Sequence, residues 1–434
     1  MALPSFAEAL RVWARIGCLS FGGPAAQIAL MHREVVEERR WVGEARFLHA
    51  LNFCMLLPGP EAMQLATYLG WLMHGVKGGV AAGLLFILPG ALVMLALSFL
   101  YALLGQVPVM AMLFLGLKCA VLVLVIEALL RVARRALQGA LPWAAAAAAF
   151  AALFLLTVPF PLVVLGAALL GWALPGAFNP SGHKARSGGD HSALDAALAA
   201  EPGRIAALAG GARRAGLLAV ALWLWPVALL MGQGGVLADV GVFFSKMAVV
   251  TFGGAYAVLA YVAQEAVEHY RWLSAPEMLA GLGLAETTPG PLILVLQFVG
   301  FLAGWRDSGA WGAVAGAGLT LWVTFLPCFA WIFLGAPYVE RMHGHAKLAG
   351  ALAAVTAAVV GVIANLAIWF ALRVLFAEVP GLLPAWHTLR WEALALSLLA
   401  AALLFGTRLG VVRTLGLTAL AGLALGAILP VAAP

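Results

Sequence analysis

The sequence predicts an all-α polytopic membrane protein of about 13 transmembrane segments, folded as two homologous units in inverted orientation with helices broken at Phe-Gly-Gly and Pro-Gly-Pro motifs. Three observations lead there. Hydrophobic residues make up 64% of the 434 positions and charged residues only 10%, where a soluble domain carries roughly 25% charge, so lipid must be the solvent for much of the surface. Apolar stretches of spanning length recur along the whole chain. A gapless internal repeat relates two distant windows.

A spanning helix needs about 20 mostly apolar residues. Candidates lie near 8–30, 47–73, 79–104, 107–130, 140–158 and 161–178, then, after a polar gap, near 215–233, 236–261, 276–303, 309–335, 346–372, 389–405 and 410–430. The gap defines the organisation: a first transmembrane unit over 1–178, a cytoplasmic linker over 179–214, and a connecting helix with a second unit over 215–434. Arg11 and Arg15 interrupt the only candidate apolar core of a signal peptide, so the first span itself is expected to direct insertion. Cys18, Cys54, Cys119 and Cys328 stand singly in apolar segments, which suggests neither disulfides nor a metal site.

The net charge of +6 does not imply nucleic acid, because Lys and Arg here read as topology signals. With thirteen spans and the N-terminus inside, fourteen Lys and Arg fall in cytoplasmic loops and seven in external ones. This favours a cytoplasmic N-terminus and an external or periplasmic C-terminus. The exception is the first loop, with Arg33, Arg39, Arg40 and Arg46, which would change sides if the first span were re-entrant.

A shift of 231 residues places Phe21-Gly22-Gly23 on Phe252-Gly253-Gly254, Arg40-Trp41 on Arg271-Trp272 and Pro58-Gly59-Pro60 on Pro289-Gly290-Pro291. Over 21–60 there are 15 identities in 40 positions, against roughly four by chance in so biased a composition. Six candidate spans precede the linker and one more precedes the second unit, so the two copies start from opposite sides. Inverted repeats are common in secondary transporters, whose sites lie near the midplane on interrupted helices.

The motifs explain the interruption. Each Pro inside an apolar helix costs about 3 kcal/mol and a Gly about 1 more, so the chain is expected to unwind and restart at Pro60 and Pro291. Unwound backbone in a bilayer is tolerated where it is buried in protein or lines a watery cavity, and a restarted helix offers free N–H groups to an anion. The two copies differ at one place: Glu61 follows the first Pro-Gly-Pro and Leu292 the second. A carboxylate competes with an anion, so the anion is expected nearer Pro289-Gly290-Pro291, flanked by Thr287 and Thr288, with Glu61 a coupling site. Phe-Gly-Gly permits a bend or close helix packing. Ser20 and Thr251, just before it, offer a hydroxyl either to a ligand or back to a carbonyl.

Glu34, Glu37 and Trp41, like Glu265, Glu268 and Trp272, share one helix face and suggest Trp-anchored interfacial helices, with Arg40 and Arg271 as candidate gates. Among the remaining intramembrane polar groups, Gln64 and Gln297 are candidate pore-lining residues, and Lys118, Glu127, Lys246 and Glu286 are candidate functional charges. Lys118 and Glu127 are nine residues apart, about 900° around a helix, and face opposite ways. No phosphate loop, metal cluster, nucleophile–base pair or redox-cofactor motif is evident, so no enzyme, cofactor or metal is expected.

The first unit carries Phe21-Gly22-Gly23-Pro24, Arg40-Trp41-Val42, Asn52-Phe53-Cys54-Met55-Leu56-Leu57-Pro58-Gly59-Pro60-Glu61-Ala62 and Tyr68-Leu69-Gly70-Trp71, and the second carries Thr251-Phe252-Gly253-Gly254-Ala255-Tyr256, Arg271-Trp272-Leu273 and Glu286-Thr287-Thr288-Pro289-Gly290-Pro291. In these motifs the chain resembles the chromate transporter family in its long two-unit form. The resemblance implies export of chromate across the bacterial inner membrane, driven by the proton motive force and giving chromate resistance. Sulfate, an isosteric dianion, is the expected competitor. A sulfate or other oxyanion carrier and an anion channel are the alternatives, and the sequence is compatible with a homodimer. Reporter tags in the loops at 32–46 and 262–275 are expected on opposite sides of the membrane; finding both on one side overturns the inverted repeat.

Overall fold

In the computed structural model the chain is a bundle of helices, described over residues 3–105, 107–178, 192–201, 203–252, 255–341, 346–381, 383–407 and 409–428. The first unit begins with α1 (Phe6–Leu19), opened by Ser5, whose hydroxyl accepts the Glu8 N–H at 3.2 Å. It continues with α2 (Gly23–His32), which runs into a π turn (Arg33–Glu38), then α3 (Glu44–Leu56), α4 (Glu61–Leu104), α5 (Pro108–Ala136), α6 (Ala140–Phe154), α7 (Phe160–Ala173) and the single turn α8 (Pro175–Phe178). Two connecting helices follow, α9 (Ala193–Ala200) and α10 (Arg204–Gln233).

The second unit repeats the series as α11 (Val236–Val250), α12 (Ala255–Gln264) with a π turn (Glu265–His269), α13 (Ala275–Thr287) and α14 (Val295–Gly335), which is entered through a 3-10 turn (Leu292–Leu294). It ends with α15 (Ala346–Leu375), α16 (Trp391–Ala401), prolonged by a π turn (Ala402–Gly406), and α17 (Val411–Ile428). The 231-residue shift carries the bounds of α3 onto those of α13, and the bounds of α4 onto 292–335. Five stretches among the described residues are long and apolar enough to cross a membrane: Glu61–Leu104, Met110–Ala136, Arg204–Gln233, Leu292–Tyr338 and Ala349–Leu375. Leu92, Leu103, Leu156, Leu169 and Trp225 stand exposed on the outside of the bundle, as lipid contact requires.

Four of the thirteen sequence candidates are not single helices but pairs of short helices folded back on themselves. Phe243 on α11 and Tyr261 on α12 would stand ~27 Å apart on one straight helix, yet their ring centroids are 6.1 Å apart. Arg15 on α1 meets Glu34 beyond α2 at 3.3 Å, and Phe53 on α3 lies 5.5 Å from Tyr68 on α4. A Cβ added to Gly281 on α13 would strike the ring of Phe298 on α14. Phe-Gly-Gly and Pro-Gly-Pro are thus hairpin tips. At the first copy, Gly22 and Gly23 take φ of 86° and 79°; Gly253 and Gly254 lie outside the described residues.

α4 and α14 also fold back, at His74-Gly75 and Ser308-Gly309, where Gly75 and Gly309 both take φ of 65°. The limbs close tightly because each meeting point is glycine on glycine. Gly70 faces the Gly78 carbonyl in α4 and Gly304 faces the Gly312 carbonyl in α14, with no room for a Cβ. Each unit therefore presents two hairpins of half-length helices followed by a long helix.

Three sequence expectations change in detail. Pro60 and Pro291 sit just before the restarted helices, in extended conformation at the cap, rather than at the first helical position. The boundary at 214 falls inside α10, which begins at Arg204, and α9 docks on the first unit: Ala193 and Leu194 N–H groups donate to the Arg40 and Trp41 carbonyls at 3.1 and 2.9 Å. Trp41 and Trp272 are core residues, each 5% exposed, not interfacial anchors. They are drawn in by a duplicated turn in which the Trp41 N–H donates to the Val35 carbonyl and the Trp272 N–H to the Ala266 carbonyl, both at 2.8 Å. Arg40 and Arg271 make that turn at φ of 51° and 53°, an uncommon region for a residue with a Cβ.

Candidate functional site

The four hairpin tips meet in two crossed pairs. The Gly59 N–H of the first Pro-Gly-Pro donates to the Thr251 carbonyl at 2.9 Å, and the Gly290 N–H of the second donates to the Ser20 carbonyl at 2.7 Å. Each bond maps onto the other under the 231-residue shift. Both glycines sit at positive φ, 118° and 98°, which a side chain would resist.

Side chains then pin the loops. Gln64 Nε2 donates to the Pro58 carbonyl at 2.7 Å and Gln27 Nε2 to the Gly290 carbonyl at 2.6 Å. Gln297 Nε2 donates to the Ala91 carbonyl at 2.9 Å. Phe21, Gly22 and Gly23 form the tip that faces the second Pro-Gly-Pro. Long helices back the tips at prolines: Pro89 in α4 precedes Gly90, which lies against the Pro289 carbonyl, and Pro327 in α14 precedes Cys328, which lies against Gly59.

The hydroxyls resolve in favour of local bonding. Ser20 donates to the Ile16 carbonyl at 2.6 Å and Thr251 to the Met247 carbonyl. Thr287 and Thr288 both donate to the Leu284 carbonyl, at 2.8 and 2.7 Å.

Two cavities open beside the first Pro-Gly-Pro. The larger, about 880 Å³, lies between the first unit's hairpins and α5, with Pro24, His32, Arg33, Glu37, Met55, Arg131, Arg135 and Tyr256 among its walls. The smaller, about 370 Å³, is lined by Gly59, Phe252 and Thr356 among others, and the two share Met55, Glu61, Val132 and Arg135. Glu61 faces both and forms no ion pair among the described residues. Tyr256 donates to the buried Glu286 carboxylate at 2.5 Å, with Arg131 and Glu127 within Coulombic reach. Arg131 Nε in turn donates to Glu127 at 3.0 Å.

Of the residues singled out from sequence, Gly59, Glu61 and Phe252 line a cavity, and Glu286 reaches one through Tyr256. Pro289-Gly290-Pro291, with Thr287 and Thr288, lines neither of these two cavities and is packed in the interior. Lys118 stands toward the other end of α5, near Arg390 and Glu277, and Lys246 is exposed. Arg40 and Arg271 are exposed and line neither cavity, so their part is the duplicated turn.

Sequence reasoning passed over Gln27, Tyr256, Arg131 and Arg135. Arg131 and Arg135 are two of the fourteen Lys and Arg counted above in cytoplasmic loops, yet Glu127, Arg131 and Arg135 recur every four residues and so share one helix face. Gln27 and Tyr256 each follow a Phe-Gly-Gly within a turn or so; from there Gln27 reaches the Pro-Gly-Pro of the other unit and Tyr256 reaches Glu286 of its own.

Comparison with known proteins places these motifs. The family model described as "Chromate transporter" matches residues 7–172 and 238–426. The chain is 36% identical over 372 residues to the chromate transport protein of Pseudomonas aeruginosa, covering 83% of this chain and 79% of the relative. It is 29% identical over 363 residues to that of Cupriavidus metallidurans, covering 83% and 81%, and 24% identical over 371 residues to an uncharacterized transporter of Methanocaldococcus jannaschii, covering 86% of each. No solved structure matches.

Gln27→Leu removes the donor to the Gly290 carbonyl and leaves that buried oxygen unpaired, a cost of about 1–3 kcal/mol. A lowered thermal midpoint of the purified protein in detergent is the expected outcome; an unchanged midpoint would mean that this bond does not hold the tip.

Proposed function

This chain belongs to the chromate transporter family, and from that premise we propose that it is a secondary transporter exporting chromate from the cytoplasm across the bacterial inner membrane, conferring chromate resistance. The observation that carries the reading is the pair of cavities beside the first Pro-Gly-Pro. The first turns of three helices open onto them, at Pro24 of α2, Glu61 of α4 and Tyr256 of α12. Helix N-termini carry partial positive charge and unpaired N–H groups that suit an oxyanion. Arg33 and Arg131 on the walls are paired with Glu38 and Glu127, and Arg135, with no ion pair among the described residues, adds the charge that raises the local concentration of a dianion.

In this conformation the anion enters between the first Pro-Gly-Pro and the second Phe-Gly-Gly, and Pro289-Gly290-Pro291 becomes its counterpart site when access alternates. Glu61 is the coupling group: ionised, it repels a dianion from the helix start; protonated, it admits one.

We place the two units in inverted orientation. Folded-back hairpins support this, because they return residues 39–43 to the end of the bundle where α1 begins, and residues 270–274 to the other end. Arg33, Arg39, Arg40, Arg46, Lys77, Arg131, Arg134, Arg135, Arg204, Arg213, Arg214, Arg341 and Lys347 then gather at the N-terminal end. The far end keeps Arg271, Arg306, Arg373 and Arg390. That bias is steeper than the one obtained with thirteen simple spans, and it supports a cytoplasmic N-terminus and an external C-terminus. The cavities then open to the cytoplasm, where an exporter loads.

Energetics favours the same direction. A dianion leaving a cell with a negative interior gains about 4.6 kcal/mol per 100 mV, so the membrane potential alone drives export. Sulfate shares the charge and shape of chromate and is the expected competitor. In reconstituted vesicles with membrane potential and pH gradient set independently, chromate is expected to move toward the positive side; absence of flux under either gradient overturns the reading. Glu61→Gln is expected to keep potential-driven flux and lose its response to the pH gradient, and a wild-type pH response in that variant removes Glu61 from coupling.

A further inference from the structure

The two ends of the bundle carry the same pair of elements in different states. The offset between the units is 231 residues through Pro-Gly-Pro and becomes 238 at Pro89 and Pro327. With these offsets Glu37, after α2, corresponds to Glu268, after α12, and Arg135 near the end of α5 corresponds to Arg373 near the end of α15.

At the far end the elements are joined. Arg373 donates to Glu268 Oε1 at 3.0 Å, Trp369 Nε1 donates to the same oxygen at 3.0 Å, and the Arg373 guanidinium lies 4.2 Å from the Trp369 ring centroid. At the N-terminal end they are parted. Glu37 and Arg135 are both walls of the 880 Å³ cavity, Glu37 is held instead by His32 at 3.2 Å, and Arg135 forms no ion pair among the described residues. Trp369 corresponds to Arg131, which the Glu127 carboxylate holds on its own helix.

We infer that Glu37–Arg135 and Glu268–Arg373 are the two gates of the transport cycle, closing in alternation. The inference rests on the inverted arrangement proposed above. Two copies of one motif, joined at one end and parted at the other, reach the opposite state when each copy adopts the other's conformation. Glu37 then leaves His32 for Arg135 as Arg373 releases Glu268, and the cavity passes to the far side. The Glu268–Arg373 contact is a single, partly exposed ion pair, so it does not lock its end.

The test reads geometry without substrate, so it stands or falls separately from chromate transport. Cysteines are placed at Glu37 and Arg135 in a chain whose Cys18, Cys54, Cys119 and Cys328 are alanine, and the protein in vesicles is treated with a short bifunctional thiol reagent. Arg373→Gln, which weakens the closed end, is expected to raise the cross-linked fraction about threefold or more, the response to losing one partly exposed ion pair. Glu268→Gln breaks the same pair from its other side and is expected to act alike, which guards against one variant failing to fold. A cross-linked fraction that stays level or falls in the folded variants overturns the inference.

Discussion

Everything at the centre of this bundle depends on satisfying backbone that no helix satisfies. Lipid offers no hydrogen bonds, so each interrupted helix must find partners for its freed N–H and C=O groups inside the protein. Here the tips supply each other: Gly59 reaches the carbonyl of Thr251, and Gly290 that of Ser20. A buried group left unpaired costs about 1–3 kcal/mol, so the reciprocal bonds dictate how closely the units approach. Gly59 and Gly290 must be glycine to turn the chain. Gly90 must lack a side chain to let the Pro289 carbonyl in, and Gln27 and Gln64 cap the remaining oxygens.

Against that shared frame the units are unequal in ways that bear on chemistry. Behind one crossing lies Gly90, behind the other Cys328. One helix restarts at Glu61 within a cavity wall, the other at Leu292 within the packed interior. The same backbone bond recurs at both crossings, with different side chains behind it, as in an internal repeat whose two halves have diverged.

The sequence made the broken helices legible because proline and glycine act locally: Pro-Gly-Pro in an apolar run has no other reading, and its duplication announced the pairing of halves. It did not reveal that the breaks are reversals, because a helix that stops in mid-membrane and returns has the same length and hydropathy as one that crosses. Phe243 against Tyr261, or Gly281 against Phe298, is information of tertiary packing alone. The site was legible on one side only. Glu61 stood out as the difference between copies, whereas Arg131 and Arg135 looked like loop charges until α5 was seen to run to the cavity mouth. Trp41 and Trp272 misled for a related reason: a Trp beside Arg at a helix end suggests an interface, and only the left-handed turn at Arg40 and Arg271 folds it inward.

The crossed bonding at the tips has a consequence for how such a chain came to exist. Neither Pro-Gly-Pro glycine takes its backbone partner from its own unit, so one unit alone would leave the Gly59 N–H and the Ser20 carbonyl without partners. Such a half becomes whole by meeting a second copy of the unit, which supplies both missing groups at once. Joining two halves through α10 makes permanent a pairing that would otherwise depend on two separate chains meeting.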